Sequence, residues 1–157
     1  MVDGFAERAS AVSRLRGDPA TTFLIIASPE PTPVAEAIFF RRRLREAGMP
    51  FGGLIVNRVR VLARTSPAID ESALAVDFGG DADPAARSVR ALRNLRALAR
   101  RDAASVRRLS AELDDDHPII VPQFDRDVCD VAGLVAVERF LFAARRERSA
   151  LLAEQAF

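Results

Sequence analysis

The sequence contains no lysine: all 23 of its basic side chains are arginine. That absence removes several chemistries from this chain. A P-loop lysine gripping a phosphate, and therefore a complete P-loop, is excluded within it. So is a Schiff-base lysine. Cysteine and histidine occur once each, at Cys129 and His117. An internal disulfide needs two cysteines, and one of each residue does not assemble a zinc cluster. So low a cysteine count fits a reducing compartment. An excess of either charge sign is also missing. With 23 basic and 22 acidic residues the net charge is +1, which argues neither for nor against a polyanionic partner and leaves an arginine-based nucleic-acid binder the remotest of the readings; none is expected. Met1 to Arg16 is charged and amphipathic and lacks the apolar centre of a signal peptide. No run is long and apolar enough to cross a membrane. The expected location is the cytoplasm.

What is present suits an ordinary globular chain. It has 157 residues, 49% hydrophobic and 29% charged, enough for one domain with its own core. The expectation is a single α/β domain over 1–157, with 145–157 as a helical extension. Its organising stretch runs from Thr22 to Arg58. Phe23 to Ala27 is a continuous apolar run, as expected of a parallel strand covered on both faces. Pro29 and Pro31 stop it, Thr32 is placed to N-cap a helix, and Pro33 suits its first position. That helix carries Val34, Ala37, Ile38 and Leu44 near one face and ends at Gly48. A second apolar strand, Leu54 to Val56, runs into Asn57. Glu30 and Asn57 thus fall at the carboxyl ends of strands, where open α/β sheets bind ligands.

The flanking segments are plainer. Phe5 to Leu15 reads as a short helix with Phe5, Ala9, Val12 and Leu15 on one side. A helix leading straight into a buried parallel strand looks truncated, because such strands need neighbours on both sides; an edge strand under a helix is the simpler alternative. Arg58 to Ala82 reads as a long irregular loop with a short apolar piece, Ser72 to Val76. Asp83 and Pro84 then start a long helix, with a break expected near Arg101 and Asp102. Its stripe Val89, Leu92, Leu95, Leu98, Val106, Leu109 and Leu113 is interleaved with arginines that read as a solvated face. Asp114, Asp115 and Asp116 read as a solvated turn where that helix frays. Ile119 to Val121 is the third strand, ended by Pro122, Gln123 and Phe124. Asp125 or Asp127 is placed to cap the last helix. Cys129 reads as a core residue and His117 as a surface turn residue.

Three segments together resemble the C-terminal half of the ArsA family of anion-transporting ATPases, the relatives of the arsenite pump and of the ATPase that targets tail-anchored proteins. They are Thr22 to Glu30 with the helix through Ala35, Glu36 and Ala37; Gly53 to Val59; and Val121 to Val128 with Ala132, Gly133 and Leu134. The likeness runs from about Phe5 to Phe142, with a poorly matching middle. It implies a three-layer, P-loop NTPase-like parallel sheet of the MinD/ArsA type flanked by helices, with only the C-terminal part present. It implies ATP or ADP as ligand, contacted by Glu30, by Asn57, and by the loop of Pro122, Gln123 and Phe124 against the adenine. The amide of an asparagine offers one acceptor and two donors, which suits a ring nitrogen and an exocyclic amine. The family works as a homodimer or as two fused halves, so a P-loop-bearing half or subunit is the implied partner, in a homo- or hetero-dimer. A peripheral membrane-protein client is allowed by the same likeness.

The departures matter as much. The lysine-bearing glycine-rich loop, the water-positioning aspartate and the magnesium-binding switch segments of that family are absent from this sequence. Gly52-Gly53 and Gly79-Gly80 are too short to cradle a phosphate. Phosphoryl transfer depends on that loop and its metal. The chain alone is therefore not expected to hydrolyse ATP, and Mg2+ is expected only with the P-loop half. Plainer readings stand beside each site residue. Asn57 suits a strand-end turn, Glu30 a solvated loop acid, and Pro122 a strand terminator. The alternative function is a non-catalytic α/β interaction module or regulatory subunit, its arginine-rich helix docking a partner.

Overall fold

The computed structural model describes residues 3–63 and 82–156. In chain order the elements are α1 (Asp3–Gly17), β1 (Phe23–Ala27), α2 (Pro31–Glu46), β2 (Phe51–Val59), α3 (Ala82–Leu113), β3 (Ile119–Pro122), α4 (Val131–Phe142) and α5 (Arg145–Glu154). The fold is α/β: a three-strand parallel sheet in the order β1-β2-β3, flanked by helices. Among the described residues no helix is long and apolar enough to cross a membrane. The chain divides into two compact units, Met1–Asn57 with Ser105–Ile120 and Arg58–Ala104 with Val121–Phe157. The loop expected between Arg64 and Asp81, including Ser72 to Val76, and the side chains of Phe5 and Ala9 lie outside the described residues.

In the first unit, β1 and β2 pair in register from Leu24↔Gly53 to Ala27↔Val56. The ladder slips between Phe23 and Leu24, where β2 holds the extra residue Gly52. A Cβ at Gly52 would run into the Thr22 methyl, and Gly53 has φ +148. The glycine pair is therefore a bulge device, as glycine commonly is at such irregularities. α2 begins at Pro31 with Glu30 as its N-cap, not Thr32, and the Glu30 side chain accepts no cap hydrogen bond from the first turn. Pro31 prevails because a missing N–H at the first helical position costs nothing. The other end is as expected. Gly48 sits at φ 65, and the Met49 amide donates to the Leu44 carbonyl at 2.9 Å, a Schellman closure. Val34, Ala37 and Leu44 are buried on the inner face.

The end of α3 uses the same closure without glycine. Asp114 takes φ 59, and the Asp115 amide donates to the Ser110 carbonyl at 3.0 Å. Asp115 is no solvated acid. Its Oδ2 accepts the Leu54 amide at 2.7 Å and its Oδ1 the His117 amide at 2.9 Å. Arg41 of α2 lies over the Phe51 ring at 4.3 Å and donates to the last helical carbonyl, Leu113, at 3.2 Å.

Two expectations about burial fail, those for β1 and Cys129. β1 is covered on one face only: Ile25 and Ala27 are buried, whereas Leu24 and Ile26 are 55% and 66% exposed. Val12 and Leu15 of α1 are exposed. Cys129 is exposed, in the loop before α4. In the second unit, α3 starts at Ala82, one residue before the expected cap, and no break occurs at Asp102. β2 continues through Val59 where a loop was expected. The cap of α4 is Asp130, not Asp125 or Asp127, and its carboxylate accepts the Gly133 amide at 2.7 Å. The tail is more than a solvated extension. Leu151 of α5 is buried, and Arg148 donates to the Phe140 and Ala143 carbonyls at 2.7 and 2.9 Å, satisfying the end of α4.

Candidate functional site

Two of the residues singled out from the sequence lie at the same end of adjacent strands. The β1–β2 ladder closes at Ala27↔Val56. Asn57 is therefore the first residue of β2 beyond it, level with the exit of β1. Its side chain is exposed. From Ala27 the other strand continues through Ser28 and the buried Pro29 to Glu30, which opens α2. Glu30 is half-buried. Its carbonyl accepts the Val34 amide at 3.1 Å, the first bond of the helix. A proline run that ends a strand and starts a helix sets this tip rigidly, since each ring locks φ.

Immediately after Asn57 the backbone changes hand. Arg58 has φ 61, a left-handed conformation uncommon for a residue with a Cβ. Strained positions of this kind cluster where a side chain has to be aimed. Arg58 belongs to the second unit, where its Nε donates to Gln123 Oε1 at 3.1 Å. Nothing in the sequence marked Arg58, because arginine carries no preference for that region.

The proline loop lies in the second unit as well. Pro122 ends β3 and is fully buried, so its ring offers no surface to a ligand. The Gln123 amide N–H donates to the Val59 carbonyl at 2.9 Å, joining the ends of β3 and β2. Both ends of its side chain are engaged, with Arg58 and, at 3.1 Å, with the Phe124 carbonyl. The half-buried Phe124 ring meets Phe140 of α4 edge to face, centroids 5.8 Å apart. This geometry is common for packed aromatic pairs. Glu30 and Asn57 thus share one end of the first unit, while Pro122, Gln123 and Phe124 form a hydrogen-bonded and ring-packed turn in the second.

The strongest polar cluster was missed by the sequence reading. Asp102, in the middle of α3, is completely buried. Its Oδ2 accepts from both the Arg60 backbone N–H and the Arg60 guanidinium at 3.1 Å, and its Oδ1 from Arg101 at 3.1 Å. A buried carboxylate needs such partners. Here they tie the chain just beyond β2 to α3. The one signal in the sequence is an aspartate interrupting an otherwise apolar and arginine pattern, which by itself suggests a helix break.

No protein-family model matches this chain, and no curated protein is similar to it.

Proposed function

We propose that the chain provides the adenine-side contacts of an ArsA-like anion-transporting ATPase, binding ATP or ADP through Asn57 and Glu30. One observation supports this above the rest: an exposed amide, Asn57, is the first residue past the parallel ladder, beside the strand tip that carries Glu30. Strand ends of that kind are where α/β sheets hold flat ligands. Asn57 pairs with the base and Glu30 lies on the same side of it. Pro122, Gln123 and Phe124, the loop that the resemblance sets against the adenine, lie in the second unit, and the contact proposed here is that of Asn57 and Glu30 in the first. Phosphate contacts and Mg2+ come from a P-loop-bearing half or subunit, because this sequence holds no lysine.

The test is a nuclear magnetic resonance titration of the chain alone with ADP, adenosine and inorganic phosphate. ADP and adenosine should shift the Asn57 side-chain amide with similar millimolar affinity, without dependence on Mg2+, and phosphate should not. Asn57→Ala should remove the effect on neighbouring amides. An Asn57 amide unmoved by saturating adenosine and ADP refutes the reading. A second reading, a non-catalytic interaction module, is favoured by a different observation. Leu24, Ile26, Phe39 and Phe40 expose an apolar surface away from these strand tips.

A further inference from the structure

The net charge of +1 averages over a chain whose charges are unevenly spread. From Arg87 to Arg101, within the second unit, α3 carries six arginines and no carboxylate. Arg87, Arg90, Arg93, Arg100 and Arg101 are exposed. Arg90, Arg93 and Arg100 have no aspartate or glutamate three or four residues away, so the ion pairs that usually lace a charged helix cannot form at them. Among the described residues Arg87, Arg90, Arg93 and Arg100 take part in no ion pair, whereas Arg101 is held by the buried Asp102. Like charges one turn apart destabilise the helix that bears them, and an anion lying along the row relieves that repulsion.

The row is nearly straight. Arg93 follows Arg90 by about one turn, and Arg100 follows Arg93 by about two, roughly 10.5 Å further along the axis. These three fall within about 80° of the helix circumference, and Arg87 to Arg101 spans about 21 Å. Asn94 and Ala97, both exposed and short, stand between them, so no bulky group keeps a rod-like anion off the helix. What the stretch lacks selects the partner. Its one exposed large apolar side chain is Leu95, at 41%. A protein partner needs apolar or aromatic anchors at the centre of the contact, and a membrane surface needs an apolar side to insert. A single nucleic-acid strand needs rings on which its bases stack. The stretch has no aromatic residue, and the whole chain has no tryptophan or tyrosine. Duplex phosphates need only a row of cations, and guanidinium suits phosphate with paired N–H bonds.

We propose that this face of α3 binds duplex nucleic acid through its phosphodiester backbone, without reading its sequence. DNA and RNA duplexes share that chemistry. Total charge gives no expectation of such a partner; the local distribution supplies it, because backbone binding depends on clustered cations and their exposure. Arg87, Arg90, Arg93 and Arg100 make the phosphate contacts, and Arg101 stays with Asp102. The contact goes beyond the nucleotide reading and does not depend on it.

Fluorescence anisotropy of a labelled DNA duplex of arbitrary sequence, titrated with the full chain, tests the contact. Binding should be micromolar at about 50 mM salt and about 150-fold weaker at about 200 mM, a logarithmic slope of about −3.6 for about four phosphate contacts. Arg90→Gln, Arg93→Gln and Arg100→Gln should each weaken binding about tenfold at the lower salt and take about 0.9 off the slope. The triple variant should retain a slope of about −0.9. Arg42→Gln, an exposed arginine of α2, should change neither quantity. All these positions are exposed, glutamine is a good helix former, and circular dichroism confirms that each variant keeps its fold. An RNA duplex should bind comparably, and a preference between the two duplexes identifies which one the face takes. No binding at about 100 μM protein and about 50 mM salt overturns the proposal, as does duplex binding that survives the triple substitution. A single strand held as tightly as the duplex overturns the duplex assignment, and polyglutamate held as tightly gives the face to an acidic protein instead. ADP should leave duplex binding unchanged, so failure here and failure of the adenine site are separate results.

Discussion

Replacing Asp102 by alanine should be the most damaging polar substitution in the second unit. The carboxylate is completely buried and accepts three hydrogen bonds at 3.1 Å, two from Arg60 and one from Arg101. Removing one side of a buried ion pair costs about 3–5 kcal/mol, because the remaining charge is left without compensation. Here the cations are not trapped. The side chains of Arg60 and Arg101 are 26% and 44% exposed and can turn to water, which places the ionic part at the lower end of that range. The Arg60 backbone N–H is tethered and loses its acceptor, adding about 1 kcal/mol. The expected total is about 3–4 kcal/mol, or a fall in urea midpoint of about 1.5–2 M for a slope near 2 kcal/mol per M. Asp102→Asn keeps an acceptor for the N–H and should lose about half as much. The assay is urea unfolding followed by far-ultraviolet circular dichroism, with Arg60→Ala closing a double-mutant cycle. Asp102→Ala costing under about 1 kcal/mol, or a cycle without coupling, would refute the claim that this cluster ties the exit of β2 to α3.

Two further outcomes concern the first unit. Gly53→Ala should cost about 1–2 kcal/mol, since φ +148 is strained for any residue with a Cβ and the new methyl would lie 3.5 Å from Asp115 Oδ2. Gly4→Ala, in open space on α1, is the control and should be neutral or slightly stabilising in thermal melts. Asp115→Ala should cost about 1–3 kcal/mol by stripping the part-buried Leu54 amide of its acceptor, while Asp115→Asn should retain most of that bond. Hydrogen exchange at the Leu54 amide reads this directly: unchanged protection in Asp115→Ala would refute it.

The local pieces of this protein are written in its residue order. The apolar runs at Phe23 to Ala27 and Ile119 to Val121 are strands, and the spacing of Val34, Ala37 and Leu44 is the buried side of a helix closed by Gly48. Periodicity and left-handed glycine are properties of a few successive residues, so they need no knowledge of the rest. Caps were less legible. Glu30 holds the cap in place of Thr32 because Pro31 takes the first helical position, and Asp130 holds it in place of Asp125 and Asp127, which are equally suited in themselves.

Which faces of the strands and which charges are covered was decided by the tertiary structure. The run of β1 reads as covered on both sides, yet Leu24 and Ile26 face outward, because covering a face takes a second element and the strand's own residues do not specify one. Asp102 looked like a helix breaker and became the most enclosed charge, because its three donors come from Arg60, far away in sequence, and from the adjacent Arg101. Asn57 and Glu30 could be placed at strand ends from the sequence. The parallel pairing with register Ala27↔Val56 bears out that they stand at the same end of neighbouring strands and adds that Asn57 is level with the exit of β1. Which residues are helical is a short-range matter; which are enclosed, paired or left open for a partner depends on contacts between distant segments, and those exist only once the chain has folded.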